Sequence, residues 1–311
     1  MRLRALLILL GLTAYGASDA RAQSIRTQCA TAASAVQDCE RVVDMALTLP
    51  SRVTLAAAGG NPVAGTASTL GMRVPGSPRW SLALRGTVAR ATLPPAFASG
   101  VEATAWSLNA DASIGLFNGF HLLPTIGGFG SIDVLASVGL LSVPSDDGFD
   151  RSSPLTWALG ARLGVLRESF TAPGISVSAM YRALPDIEYG EFPPGPSFLN
   201  AGQHALTLRG LVGKRILGVD LAAGIGWDRA SSDVRVQYDE PGPVIPRTVT
   251  VQENDLTFTR TSFFGNLSYT LMILNLSAEL GWQADGDAAA GAHPDTSSGG
   301  PFGGMAVRLA I

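Results

Sequence analysis

Apolar side chains alternate with polar or small ones along most of the chain after residue 50. The clearest run is 274–283, in which the even positions are Leu, Leu, Ala, Leu and Trp and the odd positions are Asn, Ser, Glu, Gly and Gln. Successive side chains of a β-strand point to opposite faces, so each such run predicts a strand with one apolar and one polar face. Because the pattern recurs in nearly every run, it predicts an all-β fold.

Twelve candidate strands follow from this alternation. They lie near residues 51–58, 66–75, 79–91, 102–116, 130–142, 154–168, 174–184, 203–215, 217–238, 247–270, 273–285 and 302–311. The links between them are alternately short and long, as expected for the periplasmic turns and extracellular loops of a membrane barrel. We predict a transmembrane antiparallel up-and-down β-barrel of about 12 strands over residues 51–311, with both ends in the periplasm. The alternative is a barrel of ten strands, with residues 51–75 folded as part of a plug.

The composition agrees with a membrane barrel. Hydrophobic residues make up 46% of the chain and charged residues 15%. Beyond residue 22, however, no apolar run reaches the roughly 18 residues that a transmembrane helix needs. A barrel combines these properties because lipid-facing residues occupy every second position of its strands. The net charge of −3 argues against nucleic acid as a partner.

The tryptophans lie on the apolar sides of the candidate strands, close to strand ends. They are Trp80, Trp106, Trp157, Trp227 and Trp282. Indole rings favour the membrane interface, so this placement predicts an aromatic belt, with Trp80 at the inner boundary and the other four at the outer boundary. A soluble β-sandwich, the competing all-β fold, would bury tryptophans in the middle of its strands.

Residues 1–22 have the pattern of a secretory signal peptide. Arg2 and Arg4 precede an apolar stretch, and a small-x-small site ends at Ala22. We expect cleavage after Ala22 and export of the mature chain; an uncleaved membrane anchor is the alternative.

Residues 23–50 carry a helical rather than an alternating pattern. We predict a short amphipathic helix over 31–49, which ends before Pro50 and lies in the periplasm or plugs the near end of the barrel. Cys29 and Cys39 are the only two cysteines, and a close pair in an exported protein favours a disulfide. One continuous helix would hold them about 15 Å apart, which is too far for a bridge. Either the chain turns back between residues 30 and 34, or the thiols stay free.

The polar sides of the strands carry charged residues that closure of a barrel would direct into its lumen. These lumen-lining residues are Arg85, Asp111, Asp133, Arg162, Arg182, Arg209, Asp220, Glu279 and Arg308. One interpretation is a weakly anion-favouring passage that is narrowest at Arg162, Arg182 and Arg209. The other is a filling of paired charges that stiffens a narrow barrel, because charges that face a lumen must be paired or hydrated.

Nothing in the sequence favours catalysis. Outer-membrane phospholipases carry a His and a Ser two positions apart on one strand, whereas His204 is followed by Ala205 and Leu206. His121 and His293 lie in predicted links, and no spacing of Cys and His fits a metal site. We therefore expect no catalytic residue, no metal and no cofactor, and no enzyme activity.

The chain resembles Gram-negative outer-membrane β-barrel proteins. The resemblance lies in the export signal, the alternating strands, the tryptophans on their apolar faces and the final alternating run 303–311, and it covers nearly all of the mature chain. It implies a location in the outer membrane and contact with its lipids. It also implies recognition of the C-terminal strand by the barrel-assembly machinery, although that strand usually ends in Phe or Trp and this chain ends in Ile311.

The resemblance is one of architecture, and no motif assigns a single family or an oligomeric state. By analogy alone, it implies passive transport of small solutes or apolar molecules through a porin-like channel. The alternative is a non-conducting structural or surface-interaction barrel that binds through its extracellular loops. An outer-membrane hydrolase is a third possibility.

Overall fold

The computed structural model describes residues 25–33, 36–74, 77–93, 101–121, 127–143, 149–150, 154–190, 197–240, 247–284 and 299–310. The predicted signal peptide with its cleavage site at Ala22, His293 and the terminal Ile311 lie outside these residues. Two helices precede the strands: α1 over 25–32 and α2 (Val36–Ala58). The strands are β1 (Met72–Val74), β2 (Ser77–Pro78), β3 (Trp80–Leu93), β4 (Val101–Phe117), β5 (Ser131–Ser142), β6 (Phe149–Asp150), β7 (Leu155–Leu166), β8 (Gly174–Ala183), β9 (Ile187–Tyr189), β10 (Ser197–Ile216), β11 (Val219–Glu240), β12 (Arg247–Leu271), β13 (Leu274–Gln283) and β14 (Gly300–Ala310).

Within the described residues, ten strands close into an antiparallel barrel in the order β3, β4, β5, β7, β8, β10, β11, β12, β13 and β14. Pairing of β14 with β3 completes the ring. The short strands β6 and β9 extend the edge beside β10, and β1 pairs only with β2. The ten-strand alternative is therefore confirmed, and the prediction of twelve strands is wrong. Residues 51–58 are helical, and of the run 66–75 only Met72–Val74 forms a short strand, outside the barrel.

Side chains alternate along the barrel strands as the sequence predicts. In β5, buried residues alternate with exposed or half-exposed ones over all 12 positions. The exposed side chains are mostly apolar, with Leu84, Val138, Leu159 and Leu276 each about half exposed. The outer surface of the barrel therefore forms an apolar band, as contact with lipid requires.

The two ends of the barrel differ in their connections. The links 217–218 and 272–273 are two-residue turns at the same end, and Leu217, Gly218 and Met272 have positive φ. Such tight turns suit the twist of paired strands. Short turns mark the periplasmic end of an outer-membrane barrel, which we call the inner end, and the opposite end is the outer end. The last described residue, Ala310, pairs with Ser81 at the inner end.

The N-terminal helices lie at the outer end and inside the barrel. The side chain of Gln28 exchanges two hydrogen bonds with the backbone of Gln252, of 3.0 and 3.1 Å, in the outer part of β12. From there, α2 descends the lumen and packs against β3, β4, β10 and β11. The described chain thus starts at the outer end, and the helix enters from the far end of the barrel rather than from the near end that the sequence predicts. The two ends of the barrel itself, Trp80 and Ala310, both lie at the inner end, as predicted.

Helix α2 continues through Pro50, where the sequence predicts its end. Proline has no N–H for the carbonyl four residues earlier, which belongs to Ala46. The side-chain amide of Asn200, on the barrel wall, donates to that carbonyl at 3.1 Å and so replaces the missing bond. The helix ends instead at Ala58, and the next residue, Gly59, has a φ of 61° and donates its N–H to the carbonyl of Leu55.

The helices and the outer strands form a small hydrophobic core above the membrane. Along β11, the inward residues change from polar or small ones up to Asp228 to the fully buried Val234 and Val236, whereas the outward residues change from apolar ones up to Trp227 to Arg229 and Asp233. This reversal of polarity marks the outer boundary of the membrane. We call the part beyond it the outer lobe; it comprises α1, residues 36–49 of α2, β9, and residues 197–203, 229–240 and 247–259.

A disulfide links the two helices of the outer lobe. Cys29 and Cys39 are bonded, with their Cα atoms 5.7 Å apart, because the chain turns back between α1 and α2. Both cysteines are fully buried against the same core as Ile25 and Phe198. The bond therefore fixes α1 to the helix that enters the barrel.

The position of α1 at the outer end and of the last strand at the inner end predicts which end of the chain is accessible from outside the cell. An epitope tag placed before Ile25 should bind antibody on intact cells, because α1 lies at the outer end. A tag after Ile311 should bind antibody only once the outer membrane has been permeabilised. The opposite pattern, or access to neither tag before permeabilisation, would contradict the entry of the N-terminal segment from the outer end.

Candidate functional site

Residues 59–71, Gly-Gly-Asn-Pro-Val-Ala-Gly-Thr-Ala-Ser-Thr-Leu-Gly, continue from α2 through the lumen to the inner end; we call them the plug segment. They contain no helix or strand, and most of them are buried. The fit against the wall is close: a Cβ on Gly65 would lie 1.9 Å from Oδ1 of Asn275. Gly65 also has a φ of 72°, so both space and backbone conformation require glycine there.

A buried carboxylate holds the upper part of the plug segment. Glu279 accepts hydrogen bonds from the N–H of Gly60 at 2.6 Å and of Asn61 at 2.7 Å. The carbonyl groups of this stretch are also bound: Arg85 donates to the carbonyl of Asn61 at 2.9 Å, and Arg209 donates to that of Gly59 at 3.1 and 3.3 Å. Bonds to charged groups are stronger than neutral ones, so these contacts fix the segment firmly.

A second carboxylate holds its lower part. Asp133 accepts from the N–H of Leu70, at 3.0 and 3.2 Å, and from that of Gly71 at 3.3 Å. It also forms an ion pair with Arg162 at 2.7 Å, in which both side chains are 0% exposed. Arg162 in turn donates to the carbonyl of Thr66 at 3.4 Å. The charges of the wall therefore bind the plug segment near both of its ends.

All nine predicted lumen-lining residues point inward in the structure. Eight are buried, and Asp111 is largely buried in an ion pair with Arg85 at 3.1 Å. Two further pairs join the wall, Arg209 to Asp228 at 2.6 Å and Arg215 to Asp220 at 2.9 Å. Asp228 has the inward parity, whereas Arg215 precedes a turn and is not among the predicted lumen-lining residues.

The three arginines predicted as a constriction differ in their roles. Arg162 and Arg209 bind the plug segment, so they hold a closure rather than line an open passage. Arg182 is 1% exposed, and its Nε and Nη1 have no hydrogen-bond partner among the described residues. Its charge interacts with those of Arg85, Arg209, Asp111 and Asp228 without direct pairing.

Below the plug segment, a cavity of about 400 Å³ opens at the inner end. We call it the inner cavity. It is lined by Thr66, Ser68, Thr69, Leu70, Arg79, Trp80, Arg167, Glu168, Arg215 and Arg308. Of its four arginines, only Arg308 is among the predicted lumen-lining residues. Arg79 and Arg167 lie just beyond the ends of β3 and β7, and Arg215 precedes a turn.

Aromatic side chains lie on the outward face near both boundaries. Trp157 is in contact with Tyr181, with ring centroids 6.0 Å apart, and Tyr181 stacks on His204 at 5.9 Å. Trp106 and Trp282 are about half exposed, Trp80 is 39% exposed at the inner end, and Trp227 is partly buried at the outer boundary. His204 therefore faces outward beside a tyrosine, and its Nδ1 lies 3.1 Å from the carbonyl oxygen of Gly202.

The described residues contain no group of three or more His, Cys, Asp or Glu side chains that is arranged to hold a metal. No helix in the described parts of the chain is long and apolar enough to cross a membrane. His121 is exposed in the link after β4. The charged groups of the site are therefore those of the lumen and the inner cavity.

Comparison with solved structures finds other membrane barrels at low identity. The chain is similar to the COG4313 outer membrane channel from Pseudomonas putida F1, with 11% identity over 80% of this chain and 99% of that chain and a TM-score of 0.40. It is also similar to the translocator domain of the autotransporter NalP from Neisseria meningitidis, with 10% identity over 76% and 89% and a TM-score of 0.38. The outer membrane protease OmpT from Escherichia coli has 12% identity over 79% and 100% and a TM-score of 0.35.

No protein-family model matches the chain, and no curated protein matches it. The architecture therefore rests on the structure itself: a closed antiparallel barrel with an apolar outward band, a polar interior, short turns at one end and aromatic side chains at its boundaries. These features are those of a Gram-negative outer-membrane β-barrel.

Proposed function

We propose that the protein is a closed outer-membrane barrel that acts as a surface-interaction protein and presents its outer lobe to partners. The observation that carries this proposal is the path of the N-terminal segment. Helix α2 and the plug segment occupy the lumen from the outer lobe to the inner cavity. With the lumen occupied by its own chain, the barrel serves as an anchor, and the outer lobe is the folded part that faces the exterior.

The energetics of the plug segment support a barrel that stays closed. Withdrawal of the segment would remove two N–H donors from Glu279 and two from Asp133. It would also remove the carbonyl acceptors of Arg85 and Arg209. A hydrogen bond to a charged group contributes about 1.5–3 kcal/mol, so the combined loss makes spontaneous opening rare.

The construction of the outer lobe supports a role in binding. Its core contains the disulfide and the fully buried Val43, Phe198 and Val236, so its surface is held in one shape. Its outward residues include the exposed Arg229, Asp233 and Arg235. A rigid surface with charges of both signs is suited to recognition because little conformational entropy is lost on binding.

Transport is the second candidate, and the chemistry of the wall beneath the plug segment favours it. If the segment moved aside, the exposed wall would be lined by charged and hydroxyl groups, among them the unpaired atoms of Arg182. Water would fill the space beside such a polar wall. The barrel would then be a gated passage with a weak preference for anions rather than a permanently open channel.

Conductance in a planar bilayer tests the proposal. The full chain should give no sustained current, whereas deletion of residues 25–71 should give current with a weak anion preference that fades at high salt. Glu279→Ala should produce brief openings, and Ser277→Ala, which loses only a bond of 3.4 Å to the wall at Ala306, is the matched control. A steady current through the full chain would favour transport instead.

A further inference from the structure

The inner cavity carries an excess of positive charge. Four arginines line it, and Glu168 is its only acidic lining residue among those described. The carboxylate of Glu168 accepts a hydrogen bond from the backbone N–H of Arg215, which turns it toward the wall. Arg215 itself is paired with Asp220 at 2.9 Å. The remaining three arginines, Arg79, Arg167 and Arg308, therefore set the charge of the cavity.

Arg308 is the buried member of this group. It is 5% exposed, and its Nε is buried without a hydrogen-bond partner. Among the described residues, no carboxylate forms an ion pair with its guanidinium; Asp220, which attracts it from a greater distance, is paired with Arg215. A buried guanidinium that lacks a partner is costly unless an anion supplies one.

The other two arginines lie at the rim. Within the described structure, the guanidinium of Arg167 donates only to Asn118, at 3.3 and 3.4 Å, and its Nε has no partner. Burial and the neighbouring positive charge of Arg79 lower the pKa of Arg167. Arg79 is exposed, and its guanidinium makes no hydrogen bond or ion pair within the described structure.

We propose that the inner cavity binds an oxyanion of the phosphate class. Guanidinium groups bind phosphate oxygens in pairs of parallel hydrogen bonds, and three of them converge on this cavity. The hydroxyl of Ser68 accepts from the N–H of Glu168 at 2.8 Å, which leaves its proton available to an anion. This site goes beyond the proposed surface function, because it faces the periplasm.

Two sources supply this chemistry at the inner end. Trp80 lines the cavity and is 39% exposed, as expected of a side chain at the level of the lipid headgroups. The phosphate of an anionic phospholipid can therefore reach the cavity from the side, and free phosphate can reach it from the periplasm. The shared requirement is a compact, multiply charged phosphate group.

Titration of the full chain tests the proposal. In detergent micelles, inorganic phosphate should raise the thermal unfolding temperature above that in chloride of equal ionic strength. In nanodiscs of phosphatidylcholine with phosphatidylglycerol, native mass spectrometry should show retained phosphatidylglycerol. Stabilisation by phosphate alone assigns the site to free anions, and retention of the lipid alone assigns it to headgroups. The absence of both effects overturns the proposal.

Variants test whether the anion binds in the inner cavity. Arg308→Gln should lower the affinity for the anion at least about tenfold, since it removes a charged hydrogen-bond donor. Arg229→Gln, which makes the same change on the exposed outer lobe, should leave binding unchanged. Arg79→Gln is exposed and should fold normally, so it provides the test if Arg308→Gln does not fold. Equal binding by Arg79→Gln, Arg308→Gln and Arg229→Gln would contradict the assignment.

Discussion

Asp133→Ala is expected to lower the free energy of unfolding by about 3–5 kcal/mol, because it leaves a buried arginine without its partner. Arg162 and Asp133 are both 0% exposed, and the pair lies between β5 and β7 near the inner end. The same substitution removes the acceptor for the N–H groups of Leu70 and Gly71. Denaturant titration of the protein refolded in micelles measures the loss.

A double variant separates the two contributions. Asp133→Leu combined with Arg162→Met replaces the ion pair by apolar groups, which is often neutral or stabilising in itself. The N–H groups of Leu70 and Gly71 would still lack their acceptor, at about 1–3 kcal/mol for each unsatisfied buried donor. The double variant should therefore recover part of the loss. Full recovery would mean that Asp133 does not hold the plug segment.

Leu84→Arg is expected to destabilise the barrel by about 2–4 kcal/mol, the cost of arginine on a lipid-facing strand at the middle of the bilayer. Leu84 is 56% exposed on the outward face of β3. It lies halfway between Trp80 at the inner boundary and Val88, which pairs with Trp106 at the outer boundary. Refolding into lipid vesicles, followed by denaturant titration, gives the free energy.

Val88→Arg is the matched control for this change. It introduces the same side chain on the same face of the same strand, but at the level of the tryptophans, where the cost falls to about 0–1 kcal/mol. The chain already carries Arg90 two positions further along this face. If both variants lost the same free energy, the placement of the membrane around the barrel would be wrong.

The strands were predictable because their signal is local. Alternation with a period of two depends only on neighbouring positions. Closure of the barrel places the outward face of every strand against lipid and the inward face of every strand in the lumen. The run 51–58 misleads because its Val, Leu and Ala residues also suit a helix that is buried on all sides. Pro50 hides this continuity, since its effect is offset by Asn200, 154 positions away from the Ala46 carbonyl.

The plug segment was less predictable because its partners are distant in sequence. Glu279 lies 219 positions from Gly60, and a sequence rich in Gly, Ser and Thr has no period of its own. The inward direction of Arg162 and Glu279 follows from parity, but parity does not say whether water or the chain itself occupies the lumen. Arg79 and Arg167 fall at the ends of the candidate runs and just beyond β3 and β7, where parity no longer fixes the direction of a side chain.

The end from which the N-terminal helices enter the barrel also depends on contacts between residues that are far apart in the sequence. The sequence predicts α2 near the barrel, yet the contact of Gln28 with Gln252 that places α1 at the outer end joins residues 224 positions apart. The same strand lengths fit a helix at either end. Only the apolar inward faces of Val234 and Val236, beyond the predicted membrane boundary, indicate that something packs there.

Amide hydrogen exchange across residues 59–71 tests the central claim most directly. The plug segment has no helix or strand, so in solvent it would exchange as fast as an unstructured peptide. In the closed barrel, the N–H groups of Gly60, Asn61 and Leu70 donate to buried carboxylates, and the account predicts exchange as slow as in β13. Glu279→Gln should speed exchange at 60 and 61 but not at 70. Fast exchange throughout the segment in the folded protein would show that the chain does not close its own lumen.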